Sequence, residues 1–285
     1  MYSIEIIKQI LMDMGVSPHR LRGQNFLIDE AMIERIINAA DISTAEFLLE
    51  IGPGLGALSQ HLAQSGKPTV LLEVEAAFAE RLRNLFYFDQ QVNVIEADAV
   101  KFDYIQFCRD KGLCSYDVVA NLPYNITTPI LERLLLYGGS WRQATMMLQK
   151  EAALRICSGS GRDNGPVTLL TQYCAEAELL FEVSPKSFYP EPAVYSAVIQ
   201  LRRRKEPPVD VELPPLLGLI KAAFSQRRKQ LVNTLSSAYQ RDDGYRFSRE
   251  QIAAALERCE FSGNIRAEQL GLPEFAALWK ALQNV

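Results

Sequence analysis

The chain has 285 residues, 48% of them apolar and 22% charged, with a net charge of −4. These proportions exclude a disordered, collagenous or coiled-coil protein and fit one large domain, alone or with a small one. No apolar stretch approaches the roughly 18 residues of a membrane span, and residues 1–25, with Asp13, His19, Arg20 and Arg22, lack the order of a cleaved leader, so a cytoplasmic protein is expected.

In chain order, residues 47–51 read as a strand, 58–63 as a helix, 68–73 as a strand and 76–88 as a helix, followed by strands at 92–96 and 116–120. Short apolar runs alternating with helical spacing mark parallel βαβ units, with helices on both faces of a sheet. Residues 145–149, 175–181 and 196–201 can add strands whose order is not readable. Lys205-Glu206-Pro207-Pro208, followed by Pro214-Pro215, reads as a linker, because consecutive prolines stop both helix and sheet pairing. The expected division is therefore a body, 1–205, and a tail, 206–285. In the tail, residues 216–224, 228–238, 249–259 and 273–282 all show helical spacing, which predicts a small all-helical domain.

Charge follows the same division. Residues 1–201 carry 16 basic and 24 acidic side chains, residues 202–285 carry 14 and 10, so a basic tail follows an acidic body. Arg202-Arg203-Arg204-Lys205 and Arg227-Arg228-Lys229 are clusters that, by themselves, mean no more than a solvated face. Cys108, Cys114, Cys157, Cys174 and Cys259 lack the spacing of zinc ligands, and the chain has two histidines. No metal site or histidine-based triad is expected, and the cysteines read as reduced structural residues.

Glu50-Ile51-Gly52-Pro53-Gly54-Leu55-Gly56 lies between the first strand and a helix, where absent Cβ atoms let a ligand approach the backbone. Glu73 ends the next strand and Asp98 closes the third. Each acid alone could be a cap or a turn, but two at successive strand ends above a glycine loop suggest a ligand with ribose hydroxyls and an adenine to hold. Phosphates are disfavoured, since the loop has no lysine or arginine and no P-loop pattern occurs. S-adenosylmethionine fits: it has no phosphate, and its sulfonium tolerates an acidic surround.

Asn121-Leu122-Pro123-Tyr124 follows the strand at 116–120. An exocyclic base amine is a poor nucleophile because its lone pair is delocalised, so a site must grip it with acceptors. Asn121 Oδ1 and the Leu122 carbonyl can do so on a turn fixed by Pro123. Tyr124 offers a face on which a flipped-out base can stack. No general base is needed.

With Gly23-Gln24-Asn25-Phe26-Leu27, Phe188-Tyr189-Pro190-Glu191-Pro192-Ala193-Val194-Tyr195-Ser196, Phe224-Ser225-Gln226-Arg227-Arg228-Lys229 and Arg266-Ala267-Glu268-Gln269-Leu270, these segments give the chain a resemblance. From Gly23 to about Leu270 it resembles the ribosomal RNA small-subunit adenine N6-dimethyltransferases of the KsgA type. The resemblance implies a Rossmann-like class I S-adenosylmethionine-dependent methyltransferase domain with a small helical domain that binds RNA. It implies that Asn25, Leu27, Gly52, Glu73, Asp98 and Asn121 contact S-adenosylmethionine. It places Asn121, Leu122 and Tyr124 at the target base, with Phe188 stacking on the other face. It implies small-subunit ribosomal RNA, in an immature small subunit, as partner; the hydropathy and the cysteine spacing lead to no membrane and no metal being expected, and a monomer is the default. The product would be two adjacent adenosines near the 3′ end, each carrying two N6-methyl groups.

Arg227, Arg228 and Lys229, on a tail helix, then read as phosphate contacts. Arg22, Glu75, Pro166, Ala193 and Tyr195 depart from the family pattern, and the absence of a lysine at Ala193 should weaken phosphate binding modestly. Two alternatives are a large-subunit RNA methyltransferase of the macrolide-resistance type and a non-catalytic assembly or transcription factor on the same fold. Leu122 and the segment from Phe224 to Lys229 look like the small-subunit branch.

Overall fold

In the computed structural model, which describes residues 3–15, 25–113, 115–158, 164–226, 228–241 and 243–284, the chain divides into two units. One comprises Met1–Leu154 and Ala177–Arg203, the other Arg155–Glu176 and Arg204–Val285. The elements in order are α1 (Ile4–Asp13), β1 (Phe26–Leu27), α2 (Glu30–Ala40), β2 (Leu48–Ile51), α3 (Ala57–Gln64), β3 (Thr69–Glu73), α4 (Ala76–Leu85), β4 (Val92–Glu96), α5 (Tyr104–Lys111) and β5 (Tyr116–Asn121). They continue with α6 (Thr127–Tyr137), β6 (Trp141–Gln149), α7 (Lys150–Cys157), α8 (Pro166–Cys174), β7 (Ala175–Val183), β8 (Phe188–Tyr189) and β9 (Ser196–Arg203). The last four are α9 (Leu213–Phe224), α10 (Leu231–Ala238), α11 (Arg249–Arg258) and α12 (Leu272–Leu282).

The apolar runs become strands whose every residue, or all but the last, is buried: β2, β3 and β5. That pattern requires cover on both faces, as in a parallel α/β sheet. The seven strands run in the order β4-β3-β2-β5-β6-β9-β7. The pairs from β4 to β6 are parallel, and β9 runs antiparallel to β6. This is a Rossmann-like sheet. Because β2 pairs with β3 on one side and β5 on the other, the chain switches direction across the sheet there, which opens a crevice at the strand carboxyl ends. Ile33, Ile36 and Ala40 of α2 pack on Leu48, Val119, Met147 and Val198 of the sheet. Ile7 and Leu11 of α1 pack with Phe26, Leu55 and Phe78.

The second unit is helical. Leu169 of α8 joins Leu216, Ile220, Leu235, Ile252, Phe275 and Leu278 in one core, and the Tyr173 hydroxyl donates to the Val211 carbonyl at 2.9 Å. The helix α8 therefore packs with the tail, whereas the expected division at 205/206 leaves it in the body: α8 is short, and its apolar face finds its partners in α9 and α12. Pro214-Pro215, expected as part of a linker, instead opens α9, since a proline in the first helical turn forfeits no hydrogen bond. The helix expected over 228–238 starts at Leu231. Arg228 and Lys229 thus lie in the turn before it, not on a helix, with the Lys229 N–H donating to the Gln226 carbonyl at 2.9 Å. No helix among the described residues is long and apolar enough to cross a membrane.

Candidate functional site

Above the carboxyl ends of β2, β3, β4 and β5 lies a cleft of about 1030 Å³, counting its open mouth. Its floor is the glycine loop between β2 and α3. Gly52, Gly54 and Gly56 all have left-handed backbones, with φ of 69°, 56° and 89°, a region that costs other residues roughly 1–2 kcal/mol each. A Cβ on Gly54 would stand 3.5 Å from the Phe26 ring.

The loop is tied to β3 by one carboxylate. Glu73, 3% exposed, accepts from the Gly54 N–H at 2.9 Å through Oε2. Its Oε1 accepts from the Val74 and Glu75 N–H groups at 2.9 and 3.0 Å. Burial pushes the Glu73 carboxyl above its ordinary range, and those three N–H groups oppose the rise. Glu50, at 2% exposure, lines the same cleft. Burial pushes its carboxyl up to about 8, opposed by the Ser59 hydroxyl, which donates at 2.6 Å, and reinforced by the neighbouring charge of Glu73. Asp98 reaches the cleft after β4, with Oδ1 accepting from the Val100 N–H at 2.9 Å. The residues lining the cleft thus include three acidic side chains, Glu50, Glu73 and Asp98, and, among those described, no lysine, arginine or histidine.

At the end of β5, Asn121 Nδ2 donates to the Asn25 carbonyl at 3.3 Å, so Oδ1 is the amide atom left to accept from a ligand. The Leu122 N–H donates to the Met147 carbonyl at 3.0 Å, which leaves its carbonyl as the group it can offer. Pro123 closes the turn; its carbonyl accepts from the Ile126 N–H at 3.2 Å and the Thr127 hydroxyl at 3.1 Å. Tyr124 is half-buried and its hydroxyl lies 2.6 Å from Ser196 Oγ. Burial raises its phenol above the ordinary range, against the pull of that hydrogen bond.

The structure therefore brings Asn25, Leu27, Gly52, Glu73, Asp98, Asn121, Leu122 and Tyr124 to one cleft. It does not bring Phe188. That ring is 3% exposed and packs with Leu27, Ile33, Met147 and Val198, because β8 pairs antiparallel with β1 and sets Phe188 opposite Leu27. Arg228 and Lys229 are exposed in the second unit; Arg227 lies outside the described residues. Two lining features escape the sequence reading: Ile7 of α1 and the acidic Glu50 itself. Ile7 is signalled by the spacing of Ile7 and Leu11 behind a Ser3 cap. Glu50 shows no sequence mark that separates a cleft-facing carboxyl from a solvent-facing one.

Residues 17–259 match the family model described as ribosomal RNA adenine dimethylase. The ribosomal RNA small subunit methyltransferase A of Leuconostoc mesenteroides is 37% identical over 278 residues, covering 96% of this chain and 93% of that protein. The protein of the same name from Alkaliphilus metalliredigens is 38% identical, covering 90% and 89%. Among solved structures, the 23S rRNA methyltransferase ErmE is similar at 25% identity and a TM-score of 0.66, over 91% of this chain and 100% of that one. A dimethyladenosine transferase from Plasmodium falciparum shares the fold at 20% identity and a TM-score of 0.69, over 89% and 95%.

Proposed function

The chain belongs to the ribosomal RNA adenine dimethylase family, and on that premise we propose that it methylates N6 of two adjacent adenosines near the 3′ end of small-subunit ribosomal RNA, twice each, with S-adenosylmethionine as donor. One observation carries the reading: a cleft lined by three acidic side chains and no described cation ends on the Asn-Leu-Pro-Tyr turn. Such a donor set suits a cationic, hydroxyl-bearing, phosphate-free ligand and would repel a nucleotide. The fit extends to the loop, where Gly52 and Gly54 line the cleft with left-handed backbones and no side chain between ligand and backbone.

When bound, S-adenosylmethionine supplies an electrophilic methyl group on a sulfonium. Glu73 and Asp98 would accept from the ribose and the adenine amine, with Asn25, Leu27, Gly52 and Asn121 completing the wall. Asn121 Oδ1 and the Leu122 carbonyl would hold the target amine, favouring a pyramidal nitrogen whose lone pair is available, and its proton would leave to solvent. Tyr124 would stack on the extruded base. Phe188 would reach the other face of that base only if β8 moved. Arg227, Arg228 and Lys229 would meet RNA phosphates.

Replacing Tyr124 with Ala should cut methyl transfer to undermethylated small subunits by about 100-fold while shifting S-adenosylmethionine affinity by less than about threefold, because the ring faces the base. Calorimetry and radiolabel transfer on the same preparation measure both; equal losses would overturn the assignment of roles. Isolated large-subunit RNA serves as the competing substrate, and preferential labelling there would overturn the small-subunit reading.

A further inference from the structure

The turn after β5 fixes its backbone through the Leu122 N–H and the Pro123 carbonyl, but neither contact restrains the Tyr124 ring. That ring is held at its tip, by the 2.6 Å contact between its hydroxyl and Ser196 Oγ. Ser196 is fully buried and opens β9, where Ala197, Val198, Ile199 and Leu201 are buried beside it along with Gln200. A buried hydroxyl at such a position is costly unless it is hydrogen-bonded, and the Tyr124 hydroxyl is the partner it has. Ser196 is itself fixed in register opposite Gln149 of β6, so the anchor sits on the sheet and not on a mobile loop. A phenol hydroxyl contributes nothing to stacking, which uses the ring face. Its value here is geometric: a tyrosine pinned at Cα and at Oη has lost the χ1 swing that a phenylalanine in the same place would keep.

We propose that Ser196 is a positioning residue for the base site: through the Tyr124 hydroxyl it fixes where in the cleft the ring stands on which the target base stacks. The inference deepens the reading of Tyr124 given above and rests on it. A misaligned stacking face leaves the amine off line for attack, and displacements of this kind lower turnover more than binding. Ser196→Ala should therefore lower kcat about tenfold, with the affinity for S-adenosylmethionine unchanged. Tyr124→Phe, which keeps the ring and removes its tether, should reproduce the same loss.

The decisive test is the double-mutant cycle on kcat, with quenching of 2-aminopurine placed at the target position of the RNA as a second readout of stacking. The double variant should be no slower than either single one, and quenching should fall in all three. Independent, multiplying losses would overturn the proposal, as would a wild-type kcat in either single variant. If Ser196→Ala fails to fold, Tyr124→Phe alone decides, since wild-type turnover and quenching there exclude a role for the tether. These outcomes differ from failure of the underlying reading, in which the unmodified protein itself would not label small-subunit RNA or Tyr124→Ala would remain active.

Discussion

The most displaced carboxyl in the cleft is Glu50, of ordinary pKa 4.5 and pushed up to about 8 by burial. The folded protein then retains a proton that the unfolded chain has released, so stability should fall as the pH rises from about 4.5 to about 8. Glu73 is displaced in the same direction and adds to the fall. Glu50→Gln keeps an acceptor for the Ser59 hydroxyl and removes the titration. Thermal melts across that window should give a visibly flatter slope in the variant, and an unaltered slope would mean that Glu50 is ionised in the fold. A sequence shows the acids at 50, 73 and 98 equally. It places Glu73 and Asp98 at strand ends, whereas the depth of Glu50 depends on helices packing over β2 from both sides.

At the scale of elements, the glycine loop and the turn after β5 were legible because each comes directly after a continuous apolar run, and such runs identify buried parallel strands without further information. The loop's geometry sets its own test. Gly56 precedes α3 at φ 89°, and a Cβ there would stand 3.0 Å from Leu82; Gly66 has φ 68° and nothing within 4 Å. Alanine at Gly66 should cost about 1 kcal/mol from the backbone alone, and alanine at Gly56 measurably more. Equal shifts in denaturant midpoint would show that Leu82 yields without cost. Other elements were less legible. Phe188 belongs to a strand of two residues, too short for alternation to reveal its buried side. Pro214-Pro215 marks a helix start as readily as a linker, and only the packing of Leu216 and Ile220 into the second unit's core separates the two. The helix α8 carries no charge contrast or spacing to separate it from the strand run after it, and its grouping with residues 204–285 is a matter of packing, which a linear reading does not contain.

Across the whole molecule, charge is divided as function would require. The acidic body holds the cleft proposed for a cationic donor, and the basic third is where the proposal has RNA phosphates met. Replacing Arg227, Arg228 and Lys229 together with Ala should flatten the dependence of log affinity on log salt by about 2, at roughly 0.7 for each phosphate no longer neutralised. Filter binding to precursor small subunits measures it, and an unchanged slope would remove these residues from the interface. The family and the sheet order support the proposed methylation, and the residues gathered at the cleft fit it. Mass spectrometry of nuclease-digested small-subunit ribosomal RNA, from otherwise identical cells with and without this protein, reads that methylation directly. N6,N6-dimethyladenosine at two neighbouring positions should be present in the first and missing from the second; identical digests, or a difference confined to large-subunit RNA, would contradict the account.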